Sequence, residues 1–264
     1  MDFYNFPPIA AVIDGAYRVL MGLADVLEPF IGVASAAAAV VLVTVIVRAL
    51  LIPVGVSQAK AERTRARLAP QLAELRRKHA KNPERLQREM MALYQREGTS
   101  PLAGCLPMLV QIPVVGTIYA LFILPTIAGH PNDLLTHTLF GVPLGESLAG
   151  QILGGTVTLG SGLVFAGVIA GIAAVGEITR RVFRPQPGQQ LVPAANGATG
   201  AATPPAGLTA ALGMLQFLTA VIAVFVPLAA GVYLFVTVAW TLVQRIVLRR
   251  IYPPLVQPKP AEAA

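Results

Sequence analysis

The chain has 264 residues, of which 55% are hydrophobic and only 12% charged, with a mean hydropathy of +0.66. A soluble domain carries about 25% charge, so an ordinary soluble enzyme is excluded and a polytopic membrane protein indicated. The net charge of +7 does not point to nucleic acid, because the basic residues cluster in segments flanking apolar runs, and no specific nucleic-acid site is expected.

Residues 1–29 read as an extracytoplasmic amphipathic segment. The first eleven lack a basic n-region and a clear cleavage pattern, so no cleaved signal peptide is expected. Apolar residues then recur at helical spacing (Ile13, Ala16, Tyr17, Leu20, Leu23, Ala24, Leu27), punctuated by Asp14, Arg18 and Asp25. This pattern suits a helix lying in the membrane interface. Pro29 separates it from the first crossing.

Five apolar runs are long enough to span a bilayer, which takes about 20 residues: 30–56, 102–124, 153–179, 208–226 and 228–248. Pro227 marks a tight turn between the last two, since one helix of about 40 residues is too long for a single crossing. Residues 125–152 form an extracytoplasmic loop.

Between the first two runs, residues 57–100 hold eleven Lys and Arg. Leu68, Leu72 and Leu75 repeat at helical spacing before Asn82-Pro83, and Leu86, Met90 and Leu93 after it. The spacing predicts a charged helical hairpin outside the bilayer, each arm with one apolar seam. Residues 180–207 open with Arg180, Arg181 and Arg184 and continue as a Pro-, Gly- and Ala-rich stretch, expected to be a flexible linker. Residues 249–264 form a tail. The hairpin, the linker and the C-terminal segment together hold 18 of the 20 basic residues. The positive-inside rule therefore puts the N-terminus outside and these three segments in the cytoplasm. The expected fold is all-α: five transmembrane helices, a cytoplasmic helical hairpin and an N-terminal interfacial amphipathic helix.

No Walker loop, HExxH, GxSxG or nucleotide fingerprint is present, so neither an enzyme nor a cofactor is expected. The single cysteine, Cys105, excludes an internal disulfide and a CxxC zinc site. His79, His130 and His137 read as solvated surface histidines. Glu177, one turn from Arg180 and Arg181, reads as a local ion pair rather than a proton relay.

The residue that stands out is Arg48, inside the first apolar run. A cation there costs about 2.5–3.5 kcal/mol and marks a functional interior. If the helix continues to Ser57, Arg48 is roughly 13 Å deep; if Pro53 ends it, about 7–8 Å, within reach of the headgroups. The sequence leaves both open. Thr44 shares its helix face. Gln111 sits mid-run between Pro107 and Pro113. Thr209, Gly213 and Gln216 share a face of the fourth run, and Tyr233, Thr237, Thr241 and Gln244 a face of the fifth. Interhelical hydrogen bonding explains any one of these. Four polar stripes, one of them cationic, are better explained by a common hydrophilic cavity.

The stretch Glu89-Met-Met-Ala-Leu-Tyr94, followed by Ser100-Pro-Leu-Ala-Gly-Cys-Leu-Pro-Met-Leu-Val-Gln-Ile-Pro113, resembles the signature of the YidC/Oxa family of membrane protein insertases. Thr44-Val-Ile-Val-Arg48 with Pro53 is similar to that family's first core span, and Pro227, Tyr233 and Gln244 to its last. The resemblance implies Arg48 as the cation of a substrate groove, Thr44 as its neighbour, Gln111 as a polar wall and Tyr233 as a substrate-contacting aromatic. It implies no bond chemistry. The implied partners are nascent membrane proteins and the lipid bilayer, with the ribosome, targeting factors or a Sec translocase as further candidates. The short opening implies the smaller form found in Gram-positive bacteria, of an actinobacterial kind on its Ala- and Arg-rich composition. Two departures stand out: Leu234 where many relatives have a second aromatic, and Val238 where many have Asn. The alternative readings are a small-solute or ion transporter, or a structural partner of a translocase that does not act alone.

Overall fold

In the computed structural model, residues 6–98, 106–183 and 217–252 are described, with the side chains at 62, 65 and 106–114 outside that description. The expectations for Cys105, Gln216, the linker after Phe183 and the C-terminal tail fall outside the described residues. The chain is an α-helical membrane protein, with four very short strands among the described residues. Three described stretches are long and apolar enough to cross a membrane: Pro7–Leu50, Leu159–Val182 and Leu228–Ile251. Contacts divide it into two units, Met1–Ile46 with Thr117–Leu242, and Val47–Gly116 with Val243–Ala264.

The first unit begins with α1 (Pro7–Ile31), started by proline where the missing N–H costs nothing. Ile13, Tyr17, Leu20 and Ala24 form its buried stripe and join the main core of the unit. The apolar face predicted from the spacing is thus covered by protein. Pro29 does not end the helix; the chain turns at Gly32, whose φ of 63° suits a residue without Cβ and whose N–H closes on the Glu28 carbonyl. After a single 3-10 turn, Gly32–Ala34, comes α2 (Ser35–Leu50). Its buried face is made of small residues (Ser35, Ala36, Ala37, Ala39), which let neighbouring backbones approach closely.

Helix α5 (Leu106–Ile123) contributes Ala120, Leu121 and Phe122 to the same core. Its final carbonyls would be orphans. The buried Asn132 side chain takes up two, donating to Leu121 O and Leu124 O at 2.8 Å each. Asn132 belongs to a loop built from two minimal hairpins. In the first, β1 (Thr126–Ile127) pairs with β2 (His130–Pro131) around Ala128 and Gly129. In the second, β3 (Thr138–Leu139) pairs with β4 (Val142–Pro143) around Phe140 and Gly141. All four turn residues have positive φ, as two-residue turns of the primed type require.

This loop is fastened to both ends of the unit's sequence. The Tyr17 hydroxyl accepts from Asp133 N at 3.2 Å, and the Asp14 carboxylate meets His130 Nε2 at 3.0 Å. Further on, Glu146 O and Leu144 O accept from the N–H groups of Leu228 and Ala229 at 2.8 and 3.0 Å. Helix α6 (Leu148–Gly154) and helix α7 (Leu159–Val182) follow, capped by Ser147 and by a reciprocal Thr158–Ser161 box. Helix α8 (Leu218–Phe225) and helix α9 (Leu228–Ile251) are separated at Pro227. Ile172, Ala220 and Ala223 form a second apolar cluster across α7 and α8, and Gly171 leaves space that the Phe235 ring fills.

In the second unit the helical chain passes Arg48 with only Leu51 out of register. Leu51 N bonds to Val47 O and Gly55 N to Leu51 O, and α3 (Ile52–Lys78) carries on. Pro53 lies in the first turn of α3, where proline is tolerated, so it does not end the rod. The chain restarts as α4 (Pro83–Arg96) with the Asn82 side chain accepting from Arg85 N at 3.0 Å. Leu68, Leu72 and Leu93 are buried between α3 and α4, with Leu75, Met90 and Tyr94 beside them. Arg67 meets Glu97 at 2.6 Å.

His130 is not the freely solvated histidine read from the sequence. Its two nitrogens face two acceptors, Asp14 Oδ1 at 3.0 Å and Pro131 O at 3.1 Å, which suits the doubly protonated ring. The hydrogen bond to Asp14 raises its pKa above the ordinary imidazole value. A raised folded pKa means that the pair contributes fully below about pH 6.5 and loses its contribution as pH rises through the folded value. The thermal midpoint of the protein in detergent should therefore fall on going from pH 6 into the alkaline range, and His130→Asn should flatten that slope.

Candidate functional site

The apolar length of α2 dictates a membrane helix, and Arg48 is the exception that needs an explanation. It sits two residues before the end of α2, half-exposed, in the second unit. Among the described residues none takes a hydrogen bond or forms an ion pair with its guanidinium. Contrast Glu177, the one acid within the apolar runs read from the sequence. Its carboxylate accepts from Nε and Nη2 of Arg180 at 2.7 Å each and from Nε of Arg181 at 2.6 Å, so that acid is neutralised within its own helix. A cation without such a local partner is left to attract an anionic group from elsewhere.

Gln244 is the second candidate in this unit. Gly55 is buried on the first turns of α3, and a Cβ there would collide with the Gln244 amide nitrogen. The glycine is required by close packing, since its φ is ordinary. Nearby in sequence, Lys60 Nζ lies 5.8 Å from the centre of the Tyr252 ring, at cation–π range. Neither Gly55 nor this pairing was singled out from the sequence, which carries no signal for a contact almost 200 residues apart.

The first unit holds Thr44, Tyr233, Thr237 and Thr241. Thr44 is buried, and its hydroxyl is spent on its own helix, donating to Val40 O at 2.6 Å. Tyr233 is half-buried against the core, its ring 6.1 Å from that of Phe122 and tilted by 50°. Thr241 Oγ1 donates to Thr237 O at 2.7 Å. Thr237 Oγ1 is buried and has no partner among the described residues. A buried hydroxyl of this kind is normally satisfied by a water or by a polar group of a bound molecule. Gln111 lies on α5, but its side chain is outside the description, as is all of Gln216.

Leu234 and Val238, the two departures, pack into the α7–α8 cluster around Ile172, Ala220 and Ala223. They lie on a different face of α9 from the line Tyr233, Thr237, Thr241. Their apolar character is accounted for by this packing and leaves the polar line intact.

Long apolar helices, one with an arginine that has no partner among the described residues, describe a membrane protein. Over residues 26–254 the chain matches the family described as 60Kd inner membrane protein. The chain belongs to that family, the YidC/Oxa family. Among bacterial relatives, the membrane protein insertase YidC of Clostridium perfringens is 31% identical over 115 residues, 44% of this chain and 48% of the relative. That of Oceanobacillus iheyensis is 40% identical over 97 residues, 35% of this chain and 38% of the relative. That of Helicobacter pylori is 40% identical over 97 residues, 37% of this chain and 17% of the relative. The chain thus spans less than half the length of each of these three.

The Gly55–Gln244 contact makes a direct prediction. Gly55→Ala should displace the amide and lower the thermal midpoint, and adding Gln244→Ala should recover most of that loss. A double-mutant cycle should give a coupling of about 1 kcal/mol or more; strictly additive losses would mean that the two residues do not touch.

Proposed function

We propose that this member of the YidC/Oxa family is a membrane protein insertase. It moves short polar tails of client proteins across the bilayer and releases their apolar segments into lipid. The reading carries the topology expected from charge: five spans, the N-terminus outside, the α3–α4 arms, the linker and the C-terminus in the cytoplasm. The activity makes and breaks no covalent bond and uses no cofactor.

The observation that carries the proposal is Arg48, a cation in an apolar helical rod with no described acidic partner. In the proposed mechanism the client's tail, often acidic, is drawn toward the guanidinium in a hydrophilic groove open to the cytoplasm. Water held there keeps the tail solvated and so lowers the cost of taking polar groups past the hydrocarbon. The unpartnered Thr237 hydroxyl supports a hydrated surface on α9, and Tyr233 offers a half-buried aromatic to the arriving chain. The membrane potential pulls an acidic tail outward by about 2.3 kcal/mol per charge per 100 mV. The client's apolar segment then passes into lipid, gaining about 25 cal/mol per Å² of apolar surface removed from water. The basic arms α3 and α4 meet the client, the ribosome or a targeting factor before entry.

The test is reconstitution of the purified chain alone, with insertion of a single-spanning client scored by protease protection. Wild type should insert a client with an acidic N-terminal tail without any other protein. Arg48→Ala should slow insertion by about fivefold, the equivalent of about 1 kcal/mol in the barrier, and Arg48→Lys should come close to wild type. Equal rates for wild type and Arg48→Ala would refute the electrostatic role. No insertion by the wild-type chain alone would favour a structural partner of a larger machine.

A further inference from the structure

The four barest large apolar side chains among the described residues are Leu153 (88% exposed), Leu159 (84%), Phe30 (82%) and Phe140 (80%). They come from three stretches of the first unit that the fold gathers at one end. Phe30 closes α1 just before the Gly32–Ala34 turn, and strand β3 packs on that turn. Strand β4 of the same hairpin packs on α7, whose first residue is Leu159, and Leu153 lies in the last turn of α6 just before it.

Phe140 is the most telling. It occupies the first turn position of the second hairpin with φ at 51°. That position favours Asn, Asp or Gly, because a Cβ is disfavoured in the left-handed region. A bulky aromatic held there, projecting from the hairpin and packed on nothing, fits contact with something outside the chain. The surroundings specify what. No Asp, Glu, Lys or Arg occurs in residues 29–47, 134–145 or 147–176. The uncharged patch is continuous with the exposed apolar sides of α2 (Val41, Leu42) and α7 (Leu163), which lipid must cover in a spanning helix.

We infer that the second hairpin is a lipid-dipping element. Phe140 inserts into the interfacial zone of the leaflet at this end, with Phe30, Leu153 and Leu159 completing a shallow apolar collar. The loop read from the sequence as extracytoplasmic is then a membrane anchor, which fixes how deep the unit sits. The partner is a phospholipid bilayer, and the inference does not depend on the insertase reading.

The test uses the full chain with Cys105→Ser and Phe140→Cys, labelled with nitrobenzoxadiazole and reconstituted in phosphatidylcholine–phosphatidylglycerol vesicles. Thr136→Cys, exposed in the same loop, is the comparison. The probe at 140 should be quenched by shallow spin-labelled lipid, and severalfold less than the probe at 136 by iodide present on both sides. Equal iodide quenching at 140 and 136 would place the hairpin in water and overturn the inference. Protection from both quenchers would mean a protein partner or a second copy covers it, which also overturns it. Phe140→Trp with Cys105 retained, read by brominated lipid against the constant background of Trp240, decides the matter if the cysteine variant does not fold.

Discussion

The constraint on which the rest depends is the placement of one guanidinium in an apolar helix. Lipid offers Arg48 no hydrogen-bond acceptor, and the described residues offer it none. Pro53 might have ended the helix and let the side chain reach the headgroups; it starts α3 instead, and helical chain runs on to Lys78. A charge so placed calls for water, a backbone carbonyl or an anionic partner to stabilise it. The proposed insertase role builds on this requirement, because hydration that stabilised the cation would also admit a polar client tail.

The first unit is tied together by hydrogen bonds of its loop. The loop after α5 caps that helix through Asn132, ties to α1 through Tyr17 and His130, and ties to the start of α9 through the carbonyls of Leu144 and Glu146. Each hydrogen bond contributes only about 0.5–1.5 kcal/mol, but they join three distant stretches of sequence and share the buried Ile127, Leu134, Val142 and Leu144. A loop fastened in this way is held rigidly to its helices. Its bulkiest bare residue, Phe140, held at a positive φ, then stands out as a feature with its own use.

What was legible in the sequence is what short-range chemistry and composition dictate. The all-helical membrane character follows from long apolar runs with almost no charge. The Glu177 pairing follows from helical spacing alone. The break after α1 was displaced by three residues, because a proline in the last turn of a helix forfeits little, whereas Gly32 can take the positive φ that actually turns the chain. What was illegible rests on contacts between residues far apart in the chain. Asp14 with His130 and Gly55 with Gln244 leave no local pattern. Thr44 shows the reverse limit: its polarity suggested a groove residue, yet its hydroxyl satisfies the carbonyl one turn back. Spacing tells which face a polar residue lies on, and cannot tell whether its hydrogen bond is already spent.

The most direct measurement is chemical rescue at position 48. In protein with Cys105→Ser and Arg48→Cys, reconstituted in lipid, a small water-soluble methanethiosulfonate that adds an ammonium group should react and restore client insertion. A neutral reagent of the same size should react without restoring it. Failure of the thiol to react in a folded protein would show that no water reaches this position. Equal recovery with both reagents would show that the charge is irrelevant. Either result contradicts a hydrated, cationic entry point.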